Sequence, residues 1–145
     1  LQWGDMADTP NPHLAAEAHY QSLCGLLADL FEHSGIRTSA QTVQGSFCDG
    51  RYKLAVDGRK IAGTAQHWQR DQSAANRYRV LSHAVLPAAD PAMLTERANR
   101  FEQALGSATH YRADKTTSLL ELAGAGGAAT QAALQTIIKT HHTRN

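Results

Sequence analysis

Residues 45–66, GSFCDGRYKLAVDGRKIAGTAQ, hold the signal that decides the fold. Before Asp57-Gly58, the residues Tyr52, Leu54 and Val56 alternate with Arg51, Lys53 and Ala55, and a second run opens at Arg59. Period-two alternation marks a strand. Asp-Gly suits the two-residue type I′ turn, whose central residues both need positive φ. The stretch therefore predicts an antiparallel hairpin over 51–56 and 59–67. In a regular two-residue hairpin Val56 faces Arg59, Leu54 faces Ile61 and Tyr52 faces Gly63, so Leu54, Val56 and Ile61 are expected in the core. Lys60 then points the other way. It shares its face with Lys53, Ala55, Ala62 and Thr64, small or polar side chains that suit the floor of an open pocket, and is expected at the rim of a cleft.

Working outward, Asn11 is placed to cap a helix over 12–34 that starts with Pro12 and ends at Gly35. Tyr20, Leu23, Leu27, Leu30 and Phe31 recur at three- and four-residue steps and form its buried stripe. Cys24 lies beside that stripe and reads as a small buried hydrophobe with no chemistry. After the hairpin, RYRVLSHAVL predicts a third strand over 77–86, reached by a loop too long for a tight turn. Asp90-Pro91 starts a further helix in which Met93, Ala98, Phe101 and Leu105 share a face before Gly106. TTSLLEL (116–122) suits a short strand or turn, AGAGGAAT (123–130) a breaker, and 128–140 a last helix carrying Leu134, Ile137 and Ile138. The expected class is α+β, an antiparallel sheet meander packed against helices, in one domain over 1–145.

Composition removes several function classes. A chain of 145 residues with 19% charged residues and a formal net charge of +1 offers no basic face for nucleic acid. No apolar run reaches the roughly 18–20 residues that cross a membrane, and no secretory signal is read, which sets a cytoplasmic expectation. Two cysteines, Cys24 and Cys48, have neither CxxC nor zinc-ribbon spacing. The eight histidines show no HExxH or HxxxH pattern, so no metal site is expected, and His141-His142 reads as a solvated tail. There is no GxSxG elbow, no P-loop, and no strand before GAGG to make it a dinucleotide fingerprint. The chain opens at Leu1 with LQW, which reads like the end of a strand, so an upstream segment is expected.

The order of residues in GSFCDGRYKLAVDGRKIAGTAQHWQR, followed by VLSHAVL and a helix, resembles the biotin/lipoate A/B protein ligase family. The likeness is most specific at the hairpin and extends in element order over about residues 12–120. It implies a ligase-like α+β domain, incomplete at its N-terminus, because the family's upstream Arg-Arg-x-Gly-Gly-Gly segment is absent. The family's GRKIAG-like motif puts Lys60 in the acyl pocket, with Gly63, Thr64, His83 and Tyr52 as candidate substrate-binding residues. Where its ATP-dependent ligases carry an Asn-Asp pair, this chain has Tyr52 and Lys53. A lysine cannot replace a carboxylate on magnesium, so adenylation is disfavoured. Cys48, twelve residues before Lys60, instead stands where the cysteine-dependent octanoyl and lipoyl transferases keep their nucleophile, although those enzymes usually have an acidic residue at the position of Lys53.

The chemistry suits those residue types. Moving an acyl group to a lysine amine is easier in two steps through a thiolate. A free thiol is only a few per cent ionised near neutrality, so Arg51, Lys60, His67 or His83 is needed beside Cys48. Lys60 can also polarise the carbonyl and stabilise an oxyanion. Geometry sets one condition. A ladder continued back to Cys48 would put it opposite His67, away from Lys60, so the ladder must break before residue 50 and Cys48 must sit in a loop across the sheet edge. Three functions follow: a lipoyl or octanoyl transferase, an ATP-dependent lipoate or biotin ligase, and a non-catalytic half or subunit. The first two imply lipoate or octanoate as the acyl group, with ATP for the ligase alone. The partner implied is a lipoyl-carrier domain, such as the glycine cleavage H protein or a 2-oxoacid dehydrogenase subunit, together with any missing N-terminal segment.

Overall fold

The computed structural model describes residues 2–123 and residue 132. The expected breaker and last helix, with Leu134, Ile137, Ile138 and His141-His142, lie outside the described residues, apart from the breaker's first residue, Ala123, and Ala132. An antiparallel five-stranded sheet is built from β1 (Gln2–Asp8), β2 (Ser39–Ala40), β3 (Leu54–Val56), β4 (Arg59–Arg70) and β5 (Arg77–Val85), in the order β1-β5-β4-β3-β2. Strands β2 to β5 are the meander. β1 joins at the far edge after the chain crosses through α1 (Pro12–His33), and it pairs with β5 from Gln2↔His83 to Asp8↔Arg77. α2 (Pro91–Ala104), a 3₁₀ turn at Ala113–Lys115 and α3 (Leu119–Ala123) follow.

Local chemistry explains α1 well. The Asn11 side chain accepts from Leu14 N at 3.3 Å, Pro12 needs no amide partner, and Gly35 leaves the helix at φ 74°. Leu23, Cys24, Leu27 and Phe31 pack on Leu54, Val56, Ile61, Ala62 and Ala84, and these residues form the core. Cys24 is part of it. Burial pushes its thiol upward, with the Lys53 ammonium acting in the opposite direction. Tyr20 lies flat on Tyr52, with ring centroids 4.7 Å apart.

The hairpin turn forms as its chemistry requires, with Asp57 and Gly58 at φ 49° and 71° and Val56 opposite Arg59. The register beyond it does not follow the regular pattern. Ala55 faces Lys60, but Leu54 faces Ala62 rather than Ile61, because a β-bulge adds one residue to β4. Ile61 and Ala62 therefore both enter the core beneath α1. Tyr52 lies before β3 and faces no strand partner.

α2 also departs from expectation. It buries Pro91 and Thr95, while Met93, Phe101 and Leu105 stay exposed. The helix is held through polar contacts with the following segment instead of through its apolar stripe. Thr116 forms a parallel bridge with Lys60, and Thr117 N donates to Lys60 O at 2.9 Å. This pairing is possible because β5 pairs with β4 only from Gly63 onward. TTSLLEL is thus a strand-like pair followed by α3.

Ile61 is fully buried and Val85 is 66% exposed on the sheet. Ile61→Ala should lower the unfolding free energy by about 2–5 kcal/mol, and Val85→Ala should change it by less than about 0.5 kcal/mol, as measured by urea denaturation.

Candidate functional site

The bulge decides what Lys60 can reach. In a regular strand it would share a face with Ala62, yet Ala62 enters the core and Lys60 is turned to the opposite side. A Cβ added at Gly63 would meet Lys60 Cε at 3.5 Å and Nζ at 3.7 Å, so the lysine stem lies over this glycine. Lys60 is only 3% exposed. The loop over residues 43–50 folds across it.

That loop carries Cys48 and has its own scaffold. The ladder breaks before residue 54, Gly45 adopts φ 85°, and Cys48 itself is left-handed at φ 50°. Positive φ is costly for a residue with a Cβ and persists where neighbours enforce it. Asp49 Oδ1 accepts from Val43 N at 2.9 Å and Gly50 N at 2.8 Å, which closes the loop. Lys60 Nζ donates to Phe47 O at 2.5 Å and to Cys48 O at 3.4 Å. The ammonium also sits 4.5 Å from the centroid of the Phe47 ring. The cysteine is exposed and unpaired with any other thiol.

Charge is set by the same burial. Desolvation first, then the Lys53 ammonium, lowers Lys60 from 10.5 to about 8, against the opposing pull of Cys48 and Asp49. Lys53 is anchored nearby, with Nζ donating to Thr64 O at 2.8 Å. Two cations therefore share the base of this loop.

Cys48, Lys60 and Gly63 come together, whereas Thr64 and Tyr52 do not join them. Thr64 is buried and its hydroxyl donates to Tyr52 O, while the Tyr52 ring stacks on α1, so these two belong to the helix side. Arg51 turns toward Glu17 at 3.1 Å and the Tyr52 hydroxyl, away from service to the thiol. His83 is half-buried opposite Ala65, and His67 is exposed opposite Leu81. Neither imidazole is hydrogen-bonded to the Cys48 loop.

One contributor had no sequence signal. Tyr111 and Phe47 form a T-shaped ring pair with centroids 6.5 Å apart, and Arg112 N donates to Gly45 O at 2.8 Å. These residues lie in an irregular stretch without periodicity, more than 60 residues from the loop they touch. Two grooves flank the region. One of about 520 Å³ lies between α1 and the β2–β3 edge beside Cys24, Arg51 and Tyr52. The other, of about 550 Å³, is lined by residues 42–45 with Gly58, Arg112 and Lys115. Among the described residues no three His, Cys, Asp or Glu side chains gather as a metal site, and no helix is long and apolar enough to cross a membrane.

No family model matches the chain. Curated relatives nevertheless support its likeness to the lipoate–protein ligase group, and the named enzymes among them are octanoyltransferases. The chain is 38% identical over 116 residues to an octanoyl-[GcvH]:protein N-octanoyltransferase of Kyrpidia tusciae, a match covering 77% of this chain and 40% of that protein. It is 44% identical over 128 residues to an uncharacterized protein of Cupriavidus necator, covering 81% of this chain and 51% of the relative. A second octanoyltransferase of the same description, from Geobacillus kaustophilus, is 36% identical over 53 residues, 37% of this chain and 19% of that protein. The chain thus spans about half or less of the length of these relatives.

The depressed Lys60 value fixes a sign for stability. Between pH 8 and 10.5 the unfolded chain binds the Lys60 proton and the folded chain releases it. Stability from this group should rise as pH climbs through that window. Denaturation series on the parent and Lys60→Met should show the parent gaining relative to the variant over that interval, and parallel curves would mean an ordinary, solvated lysine.

Proposed function

We propose that this chain carries the nucleophilic thiol of an acyltransferase that moves an octanoyl or lipoyl group onto a lysine of a lipoyl-carrier domain. The observation that carries the reading is the buried Lys60 ammonium bonded to the carbonyls of Phe47 and Cys48 beneath an exposed cysteine. The named relatives support it, since theirs is octanoyl transfer from GcvH to a protein.

In the first step Cys48 Sγ, as thiolate, attacks the carbonyl carbon of the donor's acyl-lysine amide. A carbon–sulfur bond forms and the carbonyl oxygen becomes an oxyanion. Collapse breaks the carbon–nitrogen bond, and the leaving lysine amine takes up a proton from solvent. In the second step the acceptor lysine amine attacks the thioester, the carbon–sulfur bond breaks, and the thiolate returns as the new amide loses its extra proton. One lysine amide replaces another, so the exchange needs no ATP.

Lys60 has a specific part in this reading. An ammonium has three donors. Phe47 O and Cys48 O occupy two, which leaves one for an oxyanion formed at Cys48. A fixed donor of this kind in a site shielded from water is worth about 10²–10³ in rate. The Cys48 loop holds the thiol outside the sheet, where a carrier's lysine arm can approach. Cys24, buried in the core on α1, has no part.

Incubating the full-length protein with an octanoylated carrier should add one octanoyl group to Cys48, as read by intact-mass and peptide mass spectrometry. Cys48→Ala should abolish both the adduct and transfer, and Cys24→Ala should leave both in place. Lys60→Ala should keep the thiol but slow acylation by about 100-fold. Undiminished, ATP-dependent transfer by Cys48→Ala would refute the thiol route and favour a ligase. A protein that binds the carrier and transfers nothing would favour a non-catalytic module.

A further inference from the structure

The Cys48 loop is gripped from outside by a segment anchored on α2. Asn99 and Glu102 are three residues apart and so share a helix face. The Asn99 carboxamide bonds the backbone of Tyr111 in both directions, Nδ2 donating to Tyr111 O at 2.9 Å and Oδ1 accepting from Tyr111 N at 2.7 Å. The Tyr111 hydroxyl donates to Glu102 Oε1 at 2.7 Å. That bond holds the Glu102 carboxyl below its usual range and pushes the Tyr111 phenol up, so both groups keep the protonation states it needs at neutral pH.

Three bonds therefore fix one residue, two at its backbone and one at its ring hydroxyl, and its ring forms a T-shaped pair with Phe47, centroids 6.5 Å apart and planes at 78°. Phe47 is the residue whose ring and carbonyl both hold the Lys60 ammonium. One residue further on, Arg112 N fastens Gly45 O. The loop is thus pinned at residue 45 and braced at residue 47, immediately before the left-handed Cys48. A backbone held at positive φ by its neighbours loses that geometry when they are removed.

We infer that Tyr111, clamped by Asn99, is the positioning residue that fixes the Cys48 loop over the Lys60 ammonium. It acts through Phe47 and does not touch the acyl group. The inference rests on the acyltransfer reading for its kinetic consequence, while its structural consequence stands alone. If Tyr111 only tied α2 to the sheet, its removal would weaken the fold generally, and the effect on acylation would persist without Lys60.

The test is a single-turnover acylation of Cys48 in the full-length protein from an octanoylated carrier, with hydrogen exchange of residues 45–50 measured on the same variants. Tyr111→Ala should slow acylation at saturating carrier about tenfold and leave the half-saturating carrier concentration within about twofold. Tyr111→Phe, which keeps the ring, should restore the rate to within about threefold. In a Lys60→Ala background Tyr111→Ala should cost less than about twofold, since both act on one contact. Exchange at 45–50 should quicken about tenfold in Tyr111→Ala while α1 stays protected. Asn99→Ala, which releases the clamp and keeps the ring, should move the same readouts in the same direction and decides the matter if Tyr111→Ala does not fold. Undisturbed acylation, an undiminished penalty in Lys60→Ala, or unchanged exchange at 45–50 would overturn the inference. If the parent protein forms no Cys48 adduct, the acyltransfer reading fails, and the exchange result alone decides the positioning role.

Discussion

An ammonium removed from water must be given oxygens, and Lys60 takes them from the backbone of Phe47 and Cys48. This requirement organises the region around the hairpin. It gives the 43–50 loop a reason to fold back across the sheet, and it lays the lysine stem over Gly63, where an added Cβ would be in ordinary van der Waals contact with it. It also brings a cation beneath an exposed thiol. The bulge at Ile61 makes the arrangement possible, since without the extra residue Lys60 would be in phase with Ala62.

Features governed by local chemistry were legible in the sequence. Asp57-Gly58 needs positive φ wherever it occurs in a tight hairpin, and Asn11-Pro12 with Gly35 marks both ends of α1 without help from the rest of the fold. β5 was visible in RYRVLSHAVL for the same reason. The break in the ladder before residue 50 also followed from placing Cys48 near Lys60. The bulge was not visible, because KIAGTA is small and apolar throughout and a period-two pattern cannot report an inserted residue when neighbouring positions look alike. That one-residue shift moved Ala62 and Thr64 to the helix side and brought Gly63 onto the face of Lys60, while Tyr52 kept the core side that the alternation gives it. LQW reads like the end of a strand, whereas β1 runs on to Asp8, because Gly4, Asp5 and Asp8 are poor strand formers held by pairing with β5.

α2 and the strap after it show a different limit. The apolar spacing of Met93, Phe101 and Leu105 is real, but these side chains remain exposed, and the helix's contribution comes from Asn99 and Glu102 on another face. Amphipathic spacing tells which residues share a side, without saying what that side meets. Contacts such as Tyr111 on Phe47 join segments far apart in sequence and leave no trace in composition or period. In the structure they turn an irregular stretch into the outer wall of the Cys48 loop, so that α2, the strap and the hairpin act together on one short piece of backbone.

The account stands or falls on whether the Lys60 ammonium is truly enclosed beneath that loop. An NMR titration following the Lys60 side-chain ¹³Cε and ¹⁵Nζ signals, assigned by comparison with Lys60→Arg, measures this directly. Enclosure predicts a midpoint near 8, together with contacts from the Lys60 ε-protons to the Phe47 ring. A midpoint at the ordinary value of 10.5, with no contact to Phe47, would mean that the lysine is solvated and that nothing holds the cysteine loop over it.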